Sequence, residues 1–276
     1  MKLCNYAGRL ALARSDEVLD VEHASGGRFS SDPTSIYDRW AELREWAAEP
    51  MDGWDPLEFD RLGPPNAWPR QVFAIGLNYH DHAAESGHDS PQAPTTFTKF
   101  QSCLVGPGAV VELPSDKVDW EVELVVVMGA RAHCVAAEHA WAHVAGLTVG
   151  QDLSERQVQL RPPAPQFSLG KSFPGFGPTG PWVVTPDELP DPDDLAITCR
   201  RNGEVVQEAR TSQMVFGIPA LIEQLSAIVP LLPGDLIFTG TPAGVGAARR
   251  PPQFLQPGDD LESAIEGIGS MTTRFK

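Results

Sequence analysis

The 276-residue sequence predicts an α+β protein that is mostly β. Three observations carry this. From Gln71 onward, short apolar or alternating runs recur between turns rich in Gly and Pro. Asn202-Gly203 stands between two strand-like runs, a strong hairpin signal. Helical spacing is confined to a few segments.

Taken in order, "KLCNYA" and "RLALARSDEVLDV" are short β-compatible runs with turn residues between them. "DPTSIYDRWAELREWAAEP" reads as a helix that Asp32 can cap, with Pro33 in its first turn and Ile36, Trp40, Leu43 and Trp46 as an apolar stripe. "PMDGWDPLEFDRLGPPNAWP" breaks the pattern and reads as a linker. Residues 1–68 are therefore expected to form a small N-terminal α+β domain with its linker, and residues 69–276 a larger domain. In the latter, "QVFAIGLN" is a buried strand, "TTFTKF" alternates, and "WEVELVVVMG" and "HVAGLTVGQDL" are apolar strands. "PWVVTP" and the Asn202-Gly203 hairpin follow, then the helix "GIPALIEQLSAIVPLL". "PGDLIFTGTPAGVG" is turn, strand and Gly-rich loop, and a hairpin closes the chain.

Lys plus Arg number 21 against 37 Asp plus Glu, so the formal net charge is −16. Such a chain repels phosphate backbones and anionic membranes, which argues against nucleic-acid or membrane partners. No apolar run approaches the roughly 18 residues that span a bilayer. Arg9, Arg14 and Asp16 come too early for a signal peptide. Cys4, Cys103, Cys134 and Cys199 form no C-x-x-C pair, so no disulfide framework is expected and a reducing cytoplasm is the expected location.

Within "VDWEVELVVVMG", Asp119, Glu121 and Glu123 alternate with apolar residues before the run turns apolar throughout. Side chains at i and i+2 of a strand share a face, about 7 Å apart. A carboxylate at the mouth of a buried strand must be neutralised, paired or bound to metal. The plain alternative is an acidic strand edge that stays wet. Asp152 also ends an apolar run, and an oxygen-only set suits Mg²⁺ or Mn²⁺ better than zinc. Three carboxylates leave an octahedral ion three positions for water and substrate.

After "AIGLN", Asn78 can cap a short helix on which His82 and Glu85 share a face, the pattern of an oriented general base. The bland counterpart is a charged surface loop. His80 lies about 200° from His82 around a helix and cannot join the pair. Lys171, among Gly and aromatic residues, either stabilises an anion or is an exposed loop lysine. "TGTPAGVG" lacks the ending of a phosphate loop; its N–H groups can hold a small anion, or it is a tight turn.

Together, "GLNYHDHAAE", "DWEVELVVVMG", "GQDLSERQVQ", "GKSFPGFGPTGP", "RTSQMVFG" and "PGDLIFTGTPAGVG" resemble the fumarylacetoacetate hydrolase family over residues 70–275. The resemblance implies a mixed β-sheet roll, usually a homodimer. Matched motif to motif, it implies metal ligation by Glu121, Glu123 and Asp152, with Asp119 outside the set. It implies one Mg²⁺ or Mn²⁺ per subunit, a lid pair His82 and Glu85, an active-site Lys171, and substrate contacts from Arg156, Gln159 and Thr241.

The activity expected from this resemblance is hydrolytic C–C cleavage of a β-diketo acid, such as an acylpyruvate, fumarylpyruvate or a 2,4-diketo sugar acid. In this expectation His82 activates water, and Lys171 helps stabilise an enolate leaving group. Decarboxylation of oxaloacetate, or isomerisation and decarboxylation of a hydroxymuconate-type acid, uses the same enolate and is the alternative enzyme reading. A metal-dependent small-acid binding protein without turnover is the alternative of another class.

Overall fold

The computed structural model describes residues 1–276. Its framework is a mixed 12-stranded sheet packed against a five-stranded one, with a separate two-stranded ribbon. The strand Val122–Met128 lies at the centre of the large sheet, antiparallel to Val144–Gln151 on one side and to Leu236–Phe238 on the other. It is buried on both faces, which explains why its sequence stops alternating. Val122, Leu124, Val126 and Met128 enter a core shared with the five-stranded sheet, including Ile197, Leu261 and Met271. Val125 and Val127 enter a second core on the opposite face.

That second core is closed by the N-terminal segment. Phe29, Ile36, Tyr37, Trp40 and Leu43 pack there with Val72, Ala145 and Phe238. The expected apolar stripe is present, on a 3-10 turn Ser35–Arg39 that runs into the helix Trp40–Ala47. The expected cap is absent: Asp32 accepts the Thr34 N–H (2.9 Å) ahead of the 3-10 turn, whose N-cap is Thr34, and neither that turn nor the helix has a side-chain cap. The first strand, Lys2–Tyr6, pairs with Gly177–Val184, and Leu62–Gly63 of the expected linker pairs back onto it. The N-terminal residues thus extend the large sheet and share its core.

Asn202 (φ 51°) and Gly203 (φ 83°) make the hairpin turn between Ala196–Arg201 and Glu204–Arg210, both in the left-handed region that such turns require. All four cysteines are free thiols. No helix is long and apolar enough to cross a membrane.

Candidate metal centre and catalytic cleft

The acidic run is not one strand. Val118–Asp119 pairs with Ser154–Glu155, the ladder breaks at Trp120 and Glu121, and Val122 resumes it in the large sheet. Side chains take over the backbone groups freed by the break. Asp119 Oδ1 accepts the Trp120 N–H (2.8 Å), Gln151 Oε1 that of Glu121 (2.9 Å) and Gln207 Oε1 that of Val122 (3.0 Å). The period-two argument therefore fails at this point. Asp119 turns to Arg156 (2.6 Å) and to the N–H groups of Gly246 (2.7 Å) and Ala247 (3.0 Å).

Glu121 and Glu123 meet Asp152 instead. The register sets Val122 opposite Gln151 and Glu123 opposite Gly150, so the neighbouring strand ends beside Glu121, and Asp152 N–H donates to Glu121 O (2.9 Å). Gly150 is required there, since a Cβ would lie 2.4 Å from Val125 Cγ2. One oxygen from each of the three carboxylates lies within 4.8 Å of the others, and all three residues are buried.

Burial of this much charge needs partners. Lys171 Nζ bridges Glu121 Oε2 and Asp152 Oδ2, each at 2.7 Å. Lys99 Nζ contacts Asp152 Oδ1 at 2.6 Å and donates to the Lys171 carbonyl. Arg156 pairs with Glu121 (2.8 Å) and Asp119. Burial opposes the charge on Glu121, yet the nearby Lys171 and Arg156 outweigh it and hold the carboxyl below its ordinary range. Burial also works against Lys171, but Asp152 and Glu121 win and raise its pKa, so it stays an ammonium.

Glu123 is the exception. It makes no ion pair and accepts one N–H, from Gly240 (2.8 Å). Burial first, then Asp152 and Glu121, pushes it well above the ordinary range. A hard divalent ion is the counter-charge this set lacks, and three convergent carboxylates are the donors such an ion takes. The residues present fit Mg²⁺ or Mn²⁺.

Above the triad lies a cleft of about 330 Å³, within the range of small-molecule sites. His82, Glu85, Glu121, Arg156, Gln159, Lys171 and Thr241 line it, while Glu123 and Asp152 are buried next to Glu121. The helix His80–Glu85 carries the expected pair, with His82 Nδ1 2.8 Å from Glu85 Oε1. Its N-cap is Tyr79, without a side-chain cap. Asn78 instead ties the chain to Phe216 and Thr239 O. His80 bonds Ser90 (2.8 Å), away from the pair.

Lys171, just past the short helix Phe167–Gly170, is buried rather than an exposed loop lysine, because that helix packs tightly on the short helix Arg156–Gln159. A Cβ on Gly170 would sit 2.5 Å from Gln159 N. Gln159 accepts from Arg156 (2.9 Å), which leaves its NH₂ to the cleft. The Thr241 hydroxyl donates to Val122 O (2.9 Å) and accepts from Gln207 (2.7 Å), so its proton is already committed.

The Gly-rich loop holds the protein's own carboxylates. Gly240 N–H meets Glu123, Gly244 N–H meets Glu85 (2.9 Å), and Gly246 and Ala247 meet Asp119. Sequence reading missed Lys99 and the structural roles of Asp119, Gln151 and Gln207. For Lys99 a signal existed: a lysine inside the alternating run "TTFTKF".

A family model described as "Fumarylacetoacetate (FAA) hydrolase C-terminal" matches residues 71–276. A Homo sapiens protein named oxaloacetate tautomerase FAHD2B, mitochondrial, is 48% identical over 207 residues, which cover 74% of this chain and 66% of the relative. The chain thus spans just under two thirds of that relative's length. A crystal structure of a protein provisionally named HpcE from Mycobacterium smegmatis superposes with a TM-score of 0.96 at 52% identity, covering 100% of this chain and 99% of that one. Maleylpyruvate hydrolase from Sphingobium sp. SYK-6, in complex with manganese(II) and pyruvate, superposes with a TM-score of 0.81 at 28% identity, covering 100% and 98%. With three quarters of its length matched and the motif residues gathered in one cleft, the chain belongs to the fumarylacetoacetate hydrolase family.

Proposed function

We propose that the chain catalyses keto–enol interconversion of oxaloacetate or a closely similar 2-oxo acid, by proton transfer at C3. The observation that carries this is a histidine oriented by a carboxylate, lining the cleft that opens on Glu121 of the acidic triad, in a chain 48% identical over 207 residues to an oxaloacetate tautomerase. The hydrolysis expected from the motifs is the weaker reading, since it draws support from the more distant maleylpyruvate hydrolase at 28% identity.

With Nδ1–H donated to Glu85, neutral His82 presents a basic Nε2. His82 takes a proton from C3 of the ketone. The C3–H electron pair becomes the C2=C3 bond, and the carbonyl pair moves to the C2 oxygen, which takes a proton from water while the His82 imidazolium gives back to water the one it removed, leaving the enol and neutral His82; the reverse sequence returns the ketone. A divalent ion held by Glu121, Glu123 and Asp152 would supply positive charge against the developing enolate. Lys171 and Arg156 keep their charge in this buried setting, and the Gln159 NH₂ is a donor for the substrate carboxylate.

The test is the rate of interconversion of the oxaloacetate enol and ketone, with Mg²⁺, Mn²⁺ or EDTA. The reading expects metal-dependent acceleration that falls about 100-fold or more in His82→Ala. Pyruvate release from acetylpyruvate, with no acceleration of the oxaloacetate tautomers, would assign hydrolysis instead. Pyruvate release from oxaloacetate itself would assign decarboxylation.

A further inference from the structure

Three permanent cations line the cleft: Arg156, Lys171 and Arg250. Arg156 is committed to Asp119, Glu121 and Gln159, and Lys171 to Glu121 and Asp152. Arg250 is exposed and makes neither an ion pair nor a side-chain hydrogen bond within the protein. The only carboxylates lining the cleft are Glu85 and Glu121, and both have partners elsewhere.

The stretch that carries Arg250 is anchored. Asp119 holds the N–H groups of Gly246 and Ala247, and Arg249 N–H donates to Gly246 O (3.2 Å). The Arg249 side chain bonds Val206 O (2.9 Å) and lies over the Trp120 ring. A free guanidinium therefore stands on a fixed segment at the wall of the cleft, in a chain of net charge −16. Its planar fork matches a carboxylate.

We propose that Arg250 reads the second carboxylate of a dicarboxylic 2-oxo acid, a proposal that rests on the oxo-acid reading above and adds to it the determinant for a diacid. Arg250 is a specificity residue: it selects the diacid over the same skeleton without the distal charge. Because the side chain is exposed, its contribution is modest and sensitive to salt.

The experiment compares oxaloacetate with its 4-methyl ester in the Mg²⁺-loaded protein, wild type and Arg250→Ala. Tautomerisation kinetics give one readout, and the rise in Tm with each ligand gives a second that needs no turnover. The expected result is a preference for the diacid in the wild type. In Arg250→Ala, kcat/KM for oxaloacetate falls about tenfold, chiefly through KM, with the ester unchanged. Arg250→Lys recovers part of the loss, and added salt narrows the wild-type preference. Turnover with a preference untouched by Arg250→Ala overturns the proposal and leaves the tautomerase reading standing. Equal losses for diacid and ester also overturn it. An Arg250-dependent difference in Tm without turnover upholds the proposal and removes the tautomerase reading; no Tm rise with either ligand refutes it.

Discussion

At the scale of single residues, the centre is a problem in charge balance. Asp119, Glu121, Glu123 and Asp152 face Lys99, Arg156 and Lys171, and Glu123 is left without a cation. Lys99 is fully buried on Asp152, so Lys99→Met removes one half of a desolvated pair. Denaturant unfolding is expected to show a loss of about 3 kcal/mol. Isothermal titration should show weaker Mn²⁺ binding, because Asp152 loses the group that orients it. Unchanged stability and affinity would mean that Lys99 only fills space. The ligand residues could be matched in the sequence because Glu121 and Glu123 stand at the mouth of one apolar run, Asp152 ends another, and all three fall in the family motifs. Asp119 was harder to place, because the break at Trp120 and Glu121 is set by Gln151 and Gln207, distant in sequence.

At the scale of elements, the loop after Leu236–Phe238 organises the site. Gly240, Gly244, Gly246 and Ala247 aim their N–H groups at three carboxylates distant in sequence, Glu123, Glu85 and, for the last two, Asp119. These partners lie more than 100 residues away, so the sequence offered only the choice between an anion site and a turn. Gly244 has φ 110°, and a Cβ there would meet Val206 O at 2.1 Å. Gly244→Ala must move the loop and loosen Glu85, and with it His82. The expected outcome is a kcat loss of about tenfold or more, with Mn²⁺ affinity close to wild type. A full-rate variant would show that the Gly244 contact does not orient the histidine.

At the scale of the whole molecule, the N-terminal residues are structural partners of the site. Their helix and strands close the face of the sheet that Val125 and Val127 enter, the same face to which Glu123 belongs two residues earlier on the strand. The apolar stripe of that helix was legible in the sequence; its pairing with the central sheet was not, since strand pairing leaves no local mark. Trp40 packs against Gly129, where a Cβ would come within 2.8 Å of the indole. Trp40→Ala is expected to cost about 3–5 kcal/mol in unfolding free energy, with the Mn²⁺ affinity of the remaining folded protein unchanged. A loss below about 1 kcal/mol would show that this face contributes little. The central claim is that Glu121, Glu123 and Asp152 together hold one divalent ion. The anomalous difference map of a manganese-soaked crystal tests it most directly. One peak within bonding distance of all three carboxylates, absent in Glu123→Gln, is the predicted result. A map with no peak there, and the Lys171 ammonium still seated between Glu121 and Asp152, would contradict it.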